Sequence, residues 1–414
     1  MAQSALGQIF IVFLKLGCTS FGGPVAHIGF FRDEFVVKRR WIDDKLLTDY
    51  LSLCQFIPGP ASSQLGMAIG YHRHNFLGAL VAWLGFTLPS AILLTAFALL
   101  LITQPTWLSQ GLIQGLKLVA LAVVLHAFLG MRSSLAPDRI RISIMILAAA
   151  LFLSWQSVFA APIVLFLVGV YFATFGRNMV MIEHADTHTS SSIAKINARV
   201  NKRAVSAYAS PLIFLLFLVF LLAPLSISLN QPNASTDTIS LILEQLAAYY
   251  RSGALVFGGG HVVLPLLETE VVETSWVTKD TFLAGYGVAQ AVPGPLFTFA
   301  TFLGASHNSG LNGILGALAA TVAIFLPSFL LLFSVMPIWE RVRQSARIRS
   351  ALWGVNAAVL GLLLATLYDP VFVSSVNNSS HLIFTAFAYL ALATWRLPVV
   401  SVVFGGAFAG YFLL

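Results

Sequence analysis

The sequence predicts an all-α polytopic membrane protein made of two inverted-topology repeats. Each repeat is expected to hold two broken or re-entrant helical hairpins plus about four spans, with one extra transmembrane helix joining the two. Three observations point there. Of the 414 residues, 58% are hydrophobic and only 9% charged, with a mean hydropathy of +0.87. So apolar a composition fits helices that cross a bilayer rather than a soluble core. A block of motifs occurs twice in the same order, and lysine and arginine gather in some loops while others have none.

Apolar segments run 5–31, 48–72, 76–102, 107–130, 140–155 and 158–176. The start of the chain shows neither a basic run nor a small-residue cleavage site, so no cleaved signal peptide is expected. A polar stretch with His184, His188 and a Thr/Ser run follows and reads as a cytoplasmic linker. The isolated apolar segment 210–229 comes next, then a second set of six at 239–267, 281–306, 310–336, 350–368, 382–396 and 397–414. This divides the chain into a first repeat, 1–176, a linker with its connecting helix, 177–238, and a second repeat, 239–414.

The two sets align. Phe21-Gly22-Gly23 matches Phe257-Gly258-Gly259, and Trp41 matches Trp276. Pro58-Gly59-Pro60 matches Pro293-Gly294-Pro295, and Leu88-Pro89-Ser90 matches Leu326-Pro327-Ser328. Loop 131–141 carries Arg132, Arg139 and Arg141. The linker carries Arg177, Lys195, Arg199, Lys202 and Arg203, and 337–350 carries Arg341, Arg343, Arg347 and Arg349. Segments 103–110, 230–238 and 369–381 carry neither lysine nor arginine. The positive-inside rule puts the first group in the cytoplasm and the second outside. The lone helix then crosses once, so the second repeat enters from the opposite side. The N-terminus is expected in the cytoplasm and the C-terminus outside it. Loop 31–47, with Arg32, Lys38, Arg39, Arg40 and Lys45, should be cytoplasmic. Its counterpart 268–280, with Lys279 among four acids, should be outside. Both hold if segments 5–31, 48–72, 239–267 and 281–306 re-enter as hairpins. The rival arrangement makes every segment a span.

Pro-Gly-Pro inside an apolar segment stops a helix, because proline lacks the N–H donor and pushes the preceding residue out of the helical region. Broken backbone at membrane depth is tolerated where it is buried in protein or lines a wet cavity, and paired breaks in two halves point to a transporter's binding site. Pro60 and Pro295 suit the first position of a half-helix. The N–H groups around Ala61, Ser62 and Ser63, and around Leu296, Phe297 and Thr298, would then face mid-membrane. With the Ser62, Ser63 and Thr298 hydroxyls this describes an anion cradle. The alternative is a pair of packing kinks; the glutamine three residues before each break, Gln55 and Gln290, favours the cradle. Phe21-Gly22-Gly23-Pro24 and Phe257-Gly258-Gly259 supply a second pair of breaks.

Lys15 and Arg251 each lie six positions before Phe-Gly-Gly. Intramembrane cations are expensive, and two related by a pseudo-twofold could balance a dianion; the alternative is snorkelling to an interface. Lys117, which aligns with Asn356, is a weaker candidate of the same kind. His27 and His261 read as satisfied buried histidines. Asp33, Glu34, Glu268 and Glu270 border the hairpins and read as solvated loop ends rather than a proton relay. Cys18 and Cys54 lie in apolar segments and suggest no disulfide. No metal-ligand spacing, phosphate loop or nucleotide site is visible, so no cofactor is expected and the chain does not read as an enzyme. The net charge of +7 is accounted for by the loops and does not suggest nucleic acid.

In the first half, Ser20-Phe21-Gly22-Gly23-Pro24 with Ala26 and His27, Trp41, Gln55 with Pro58-Gly59-Pro60, and Phe86 with Leu88-Pro89-Ser90 resemble the chromate ion transporter family. In the second, Phe257-Gly258-Gly259-Gly260, Leu264-Pro265, Gln290 with Pro293-Gly294-Pro295, and Phe325-Leu326-Pro327-Ser328 do so too. The resemblance covers nearly the whole chain and matches the long, two-repeat members. It implies export of chromate across the bacterial inner membrane, driven by the proton motive force. The expected partners are chromate or a sulfate-like oxyanion, protons and the lipid bilayer; a homodimer is compatible with this. A sulfate or other anion permease is the nearest alternative, then a passive anion channel or an intramembrane enzyme acting on a phosphorylated lipid.

Overall fold

The computed structural model describes residues 5–21, 23–103, 110–155, 160–176, 209–230, 238–257, 260–339, 342 and 345–413. The polar linker, together with Gly22, Gly258, Gly259 and the side chain of Pro24, lies outside the described residues. Among those described, the secondary structure is helical throughout, with no strand.

The first half runs α1 (Ala5–Thr19), α2 (Gly23–Phe31), a π-turn at Arg32–Lys38, then α3 (Asp44–Phe56). Next come α4 (Ala61–Thr103), α5 (Gln110–Leu135), α6 (Arg139–Ser154) and α7 (Ala160–Phe175). The connecting helix is α8 (Ala209–Asn230). The second half runs α9 (Thr238–Ala254), α10 (Val263–Val271), α11 (Lys279–Ala291) and α12 (Phe299–Ala305). It ends with α13 (Gly313–Val335), α14 (Ala346–Thr366), α15 (Ser379–Ala393) and α16 (Val399–Leu413). The halves repeat the same order of elements.

The two predicted pairs of breaks are present. Helix α1 ends at Thr19 and α9 at Ala254, just before Phe-Gly-Gly. Helices α3 and α11 end just before Pro-Gly-Pro. Both α3 and α11 have 13 residues, well short of the ~20 needed to cross a bilayer. Their starts are capped alike: Asp43 accepts from the Leu46 N–H and Thr278 from the Thr281 N–H. Helix α4 is nominally 43 residues long, but His74 (φ −153, ψ 45) and Asn75 (φ 51, ψ −148) are not helical. The chain reverses there, and α4 is two arms lying side by side. A Cβ on Gly70 would come within 2.3 Å of the Gly78 carbonyl oxygen, so the arms meet at a spacing only glycine allows. In the second half α12 and α13 form the same pair, with Gly304 against Gly316.

Among the described residues, four stretches are long and apolar enough to cross a membrane: Ala61–Thr103, through its longer arm after Asn75, Gln110–Ser133, Gly313–Ile338 and Ala346–Ser375. The halves are interlocked. Helix α5 of the first packs on α15 and α16 of the second, while α14 of the second packs on α6 and α7 of the first. One large apolar core links both halves, with Phe13, Phe31, Phe35 and Phe86 on one side and Phe297, Phe299, Phe302 and Phe325 on the other.

Candidate functional site

The breaks of the two halves meet. The Gly59 N–H donates to the carbonyl of Val256, just before the second half's Phe-Gly-Gly, at 2.7 Å. Reciprocally, the Gly294 N–H donates to the carbonyl of Ser20, just before the first half's Phe-Gly-Gly, at 3.0 Å. Each Pro-Gly-Pro therefore ties its half to the other half's first break. The glycines stand at φ +124 (Gly59) and +102 (Gly294), a region that other residues rarely enter. Space is also closed to a side chain. A Cβ on Gly59 would lie 2.5 Å from Gln64 Nε2 and 2.6 Å from Ser328 Oγ, and one on Gly294 would lie 3.0 Å from Ser90 Oγ. The Leu-Pro-Ser motif of each half thus faces the Pro-Gly-Pro of the other.

After Pro60 the first arm of α4 begins, and its first bond inside the turn is Gln64 N–H to Pro60 O at 2.9 Å. The N–H groups of Ala61, Ser62 and Ser63 precede it and have no intrahelical acceptor. Around them the first half is polar. His27, fully buried, stands with Nε2 3.1 Å from the Ser20 carbonyl and Nδ1 3.2 Å from Ser62 Oγ. A carbonyl only accepts, so Nε2 carries the proton, and in the neutral ring Nδ1 accepts from the Ser62 hydroxyl. Ser20 Oγ, Ser63 Oγ, Gln64 Oε1, Thr87 Oγ1 and Ser328 Oγ are all buried without a hydrogen-bond partner. Buried polar groups are nearly always satisfied. These five belong to the segments that carry the breaks and the Leu-Pro-Ser motifs.

The second half is different. At the positions matching Ser20, Ser62, Gln64 and Thr87 it has Val256, Phe297, Phe299 and Phe325, all buried. Thr298 matches Ser63, but its hydroxyl is tied to Pro295 O at 2.6 Å. Ser90 matches Ser328, and its hydroxyl is tied to Thr87 O at 3.0 Å.

The remaining predicted site residues are placed as follows. Pro58 offers its carbonyl to Gln64 Nε2 at 2.8 Å. Pro60, Pro293 and Pro295 are buried in the turns. Gly23 opens α2 at φ +76. Phe21 and Gln55 are exposed, Phe257 and Gln290 half-buried. The two cations are not joined at the junction. Arg251 binds Glu270 through two nitrogens, at 2.8 and 2.5 Å, with both side chains largely buried. Lys15 lies on an exposed face of α1. A dianion between them would have to displace Glu270, which is already the nearer and better-fitting partner of the guanidinium. Lys117 likewise has a counter-ion, Asp280, at 2.6 Å. His261 Nδ1 lies 2.8 Å from the Tyr286 hydroxyl. Sequence reasoning gave no site role to Gln64, Ser20, Thr87 or Ser328. The repeated Leu-Pro-Ser motif was the available signal for Ser328; nothing in the sequence singles out Gln64.

A cavity of about 340 Å³ lies elsewhere, where α6 and α7 meet α10 and α14. Glu268, Glu273, Lys279 and Asp369 line it, and Lys279 Nζ is 3.5 Å from Asp369 Oδ1. Burial first, then the neighbouring Glu273 and Asp369 charges, push the Glu268 carboxyl up to about 7, with Lys279 opposing.

Among the described residues no cluster of three or more metal-binding side chains occurs. Comparison with known proteins adds an independent line. A family model described as "Chromate transporter" matches the chain twice, over residues 7–174 and 243–411. A chromate transport protein of Pseudomonas aeruginosa is 30% identical over 98% of this chain and 91% of its own length. One from Cupriavidus metallidurans is 26% identical over 98% and 92%. A transporter of Bacillus subtilis, YwrA, is 31% identical over 40% of this chain but 95% of its own length. No solved structure matches the chain. With the motifs at both breaks falling inside the two matched stretches, the chain belongs to the chromate transporter family.

Proposed function

We propose that the chain is a secondary active transporter that carries chromate, a tetrahedral oxyanion, out of the cytoplasm across the bacterial inner membrane, using the proton motive force. The observation that carries this reading is the reciprocal pair of hydrogen bonds, Gly59 to Val256 and Gly294 to Ser20. They bring two helix breaks from each half to one place, the arrangement in which half-helix N-termini hold an anionic substrate. The unpartnered hydroxyls of Ser63 and Ser328 supply further neutral donors. Neutral donors suit an anion that must also leave, since a fixed cation would hold it. In this reading Arg251 serves to fasten α9 to α10 through Glu270 rather than to bind the anion.

The names of the Pseudomonas aeruginosa and Cupriavidus metallidurans relatives favour chromate. The membrane potential, about 2.3 kcal/mol per charge per 100 mV, favours moving an anion out of a negative-inside cell. Two inverted halves that interlock through α5 and α14 would then rock about this junction. The test is chromate uptake into inverted membrane vesicles containing the protein, with and without energisation. Faster, energy-dependent uptake than in vesicles lacking the protein is expected; identical uptake in both overturns the reading.

A further inference from the structure

The two halves repeat each other's contacts. Gly59 N–H to Val256 O answers Gly294 N–H to Ser20 O, and α14 on α6 and α7 answers α5 on α15 and α16. One packing has no answer. In the second half α11, the helix before Pro-Gly-Pro, lies along α5 and α16. Leu283 and Gly287 are buried there. A Cβ on Gly287 would lie 2.9 Å from the Leu116 carbonyl oxygen, and Asp280 Oδ1 meets Lys117 Nζ at 2.6 Å. The counterpart of α11 is α3, and the counterparts of α5 and α16 are α14 and α7. Among the described residues α3 packs on α4 and on the π-turn at Arg32–Lys38, with no comparable packing on α14 or α7. Thr48, Ser52 and Gln55, which match Leu283, Gly287 and Gln290, stand exposed along one face of it.

That face has two properties of a surface that is covered only part of the time. It is polar, and polar side chains on a membrane helix face protein or water rather than lipid. It also keeps the small residue that close helix packing needs, because Ser52 stands where Gly287 meets Leu116. Where two inverted halves hold unlike arrangements, exchanging them gives a second state of the same architecture, as alternating access requires. We propose that the structure is the state open on the first half's side, with the exposed face of α3 lining the oxyanion's approach to Pro58-Gly59-Pro60, and that transport closes α3 onto α14 while α11 leaves α5. In that second state Ser52 meets Val355, the counterpart of Leu116, and Lys45 meets Asn356 as Asp280 now meets Lys117. The basic loop 31–47 marks the open side as cytoplasmic. An ion pair latches the second half and its counterpart, Lys45 with Asn356, is none, so the chain rests with the second half closed. The inference rests on the chain being an alternating-access carrier, and not on which anion it carries.

The experiment is crosslinking of the full chain carrying Cys18→Ser, with the fully buried Cys54 left in place. Two double variants are treated with a short, reducible thiol-to-thiol crosslinker in inverted membrane vesicles, with and without chromate. Lys117→Cys with Asp280→Cys should join in the chain at rest. Lys45→Cys with Asn356→Cys should join once chromate is supplied. Either link should abolish chromate movement, and reductant should restore it. Ser52→Cys is the milder check. It should react with a membrane-impermeant thiol reagent added at the cytoplasmic face, and lose most of that reactivity while chromate is being moved. A second pair that never joins in a correctly inserted chain, or Ser52→Cys reactivity that chromate leaves unchanged, overturns the closure even where chromate moves. Both pairs joining in a chain that moves no chromate leaves the closure standing and overturns the chromate reading.

Discussion

Gly59 carries three demands at once: a positive φ, room for Gln64 and Ser328, and an N–H aimed at Val256. A leucine there fails the first two. Gly59→Leu should reach the membrane and lose chromate transport in vesicles; wild-type rates would reduce the motif to a packing kink. Gly294→Leu should act in the same direction but less severely, because the nearest atom to its Cβ is 3.0 Å away rather than 2.5 Å. Arg251 belongs to stability. Removing one partner of a largely buried pair leaves an uncompensated charge, which costs about 3–5 kcal/mol. Arg251→Gln and Glu270→Gln should each lower the thermal unfolding temperature in detergent. The double variant should recover much of the loss, because it removes both charges. Additive losses would show that the two side chains do not act as a pair.

At the scale of elements, the short helices before the Pro-Gly-Pro breaks are held by caps and by packing rather than by length, α3 on α4 of its own half and α11 on α5 of the other. Helix α10 ends in acids, and its Glu268 stands in the cavity beside Glu273, Lys279 and Asp369. A carboxyl raised to about 7 when folded, from its ordinary value of 4.5, is favoured in its neutral form. Its contribution to stability is complete below pH 4.5 and is lost as pH rises to about 7. Glu268→Gln has no such titration. Thermal unfolding across that window should therefore show the variant gaining on the parent as pH rises and staying ahead above it. Parallel curves for the two proteins would show that Glu268 sits at its ordinary value.

For the whole molecule, the exchange of packing partners between halves means that neither half buries all of its own helices by itself. Helix α5 needs α15 and α16, and α14 needs α6 and α7. A chain divided within the linker, residues 177–208, should give a first fragment that fails to accumulate in the membrane alone. Co-expressed with the second fragment it should accumulate and restore chromate movement. A first fragment that is stable and monomeric by itself would show that the interlock is dispensable. The Bacillus subtilis relative, matched over 95% of its length by 40% of this chain, makes the comparison informative, since there one repeat's length suffices for a chain.

The helical, membrane-spanning class was legible because composition and apolar run length are one-dimensional properties. The breaks were legible because proline and glycine act on their own backbone wherever they stand. The duplication was legible at Phe-Gly-Gly, Pro-Gly-Pro and Leu-Pro-Ser, as order along the chain needs no coordinates. What joins those motifs was not. Gly59 and Val256 are far apart in sequence, and their bond exists only because the fold brings the turn between α3 and α4 against the segment that follows α9. The same holds for charge. Lys15 and Arg251 look equivalent in sequence, yet the fold exposes one and gives the other Glu270. Gln64 looks like any helical glutamine until burial removes water and the Pro58 carbonyl fixes which way its amide faces. Backbone chemistry is local and is written in the sequence; burial and partnership are set by what the rest of the chain brings near, and the tertiary structure alone decided them.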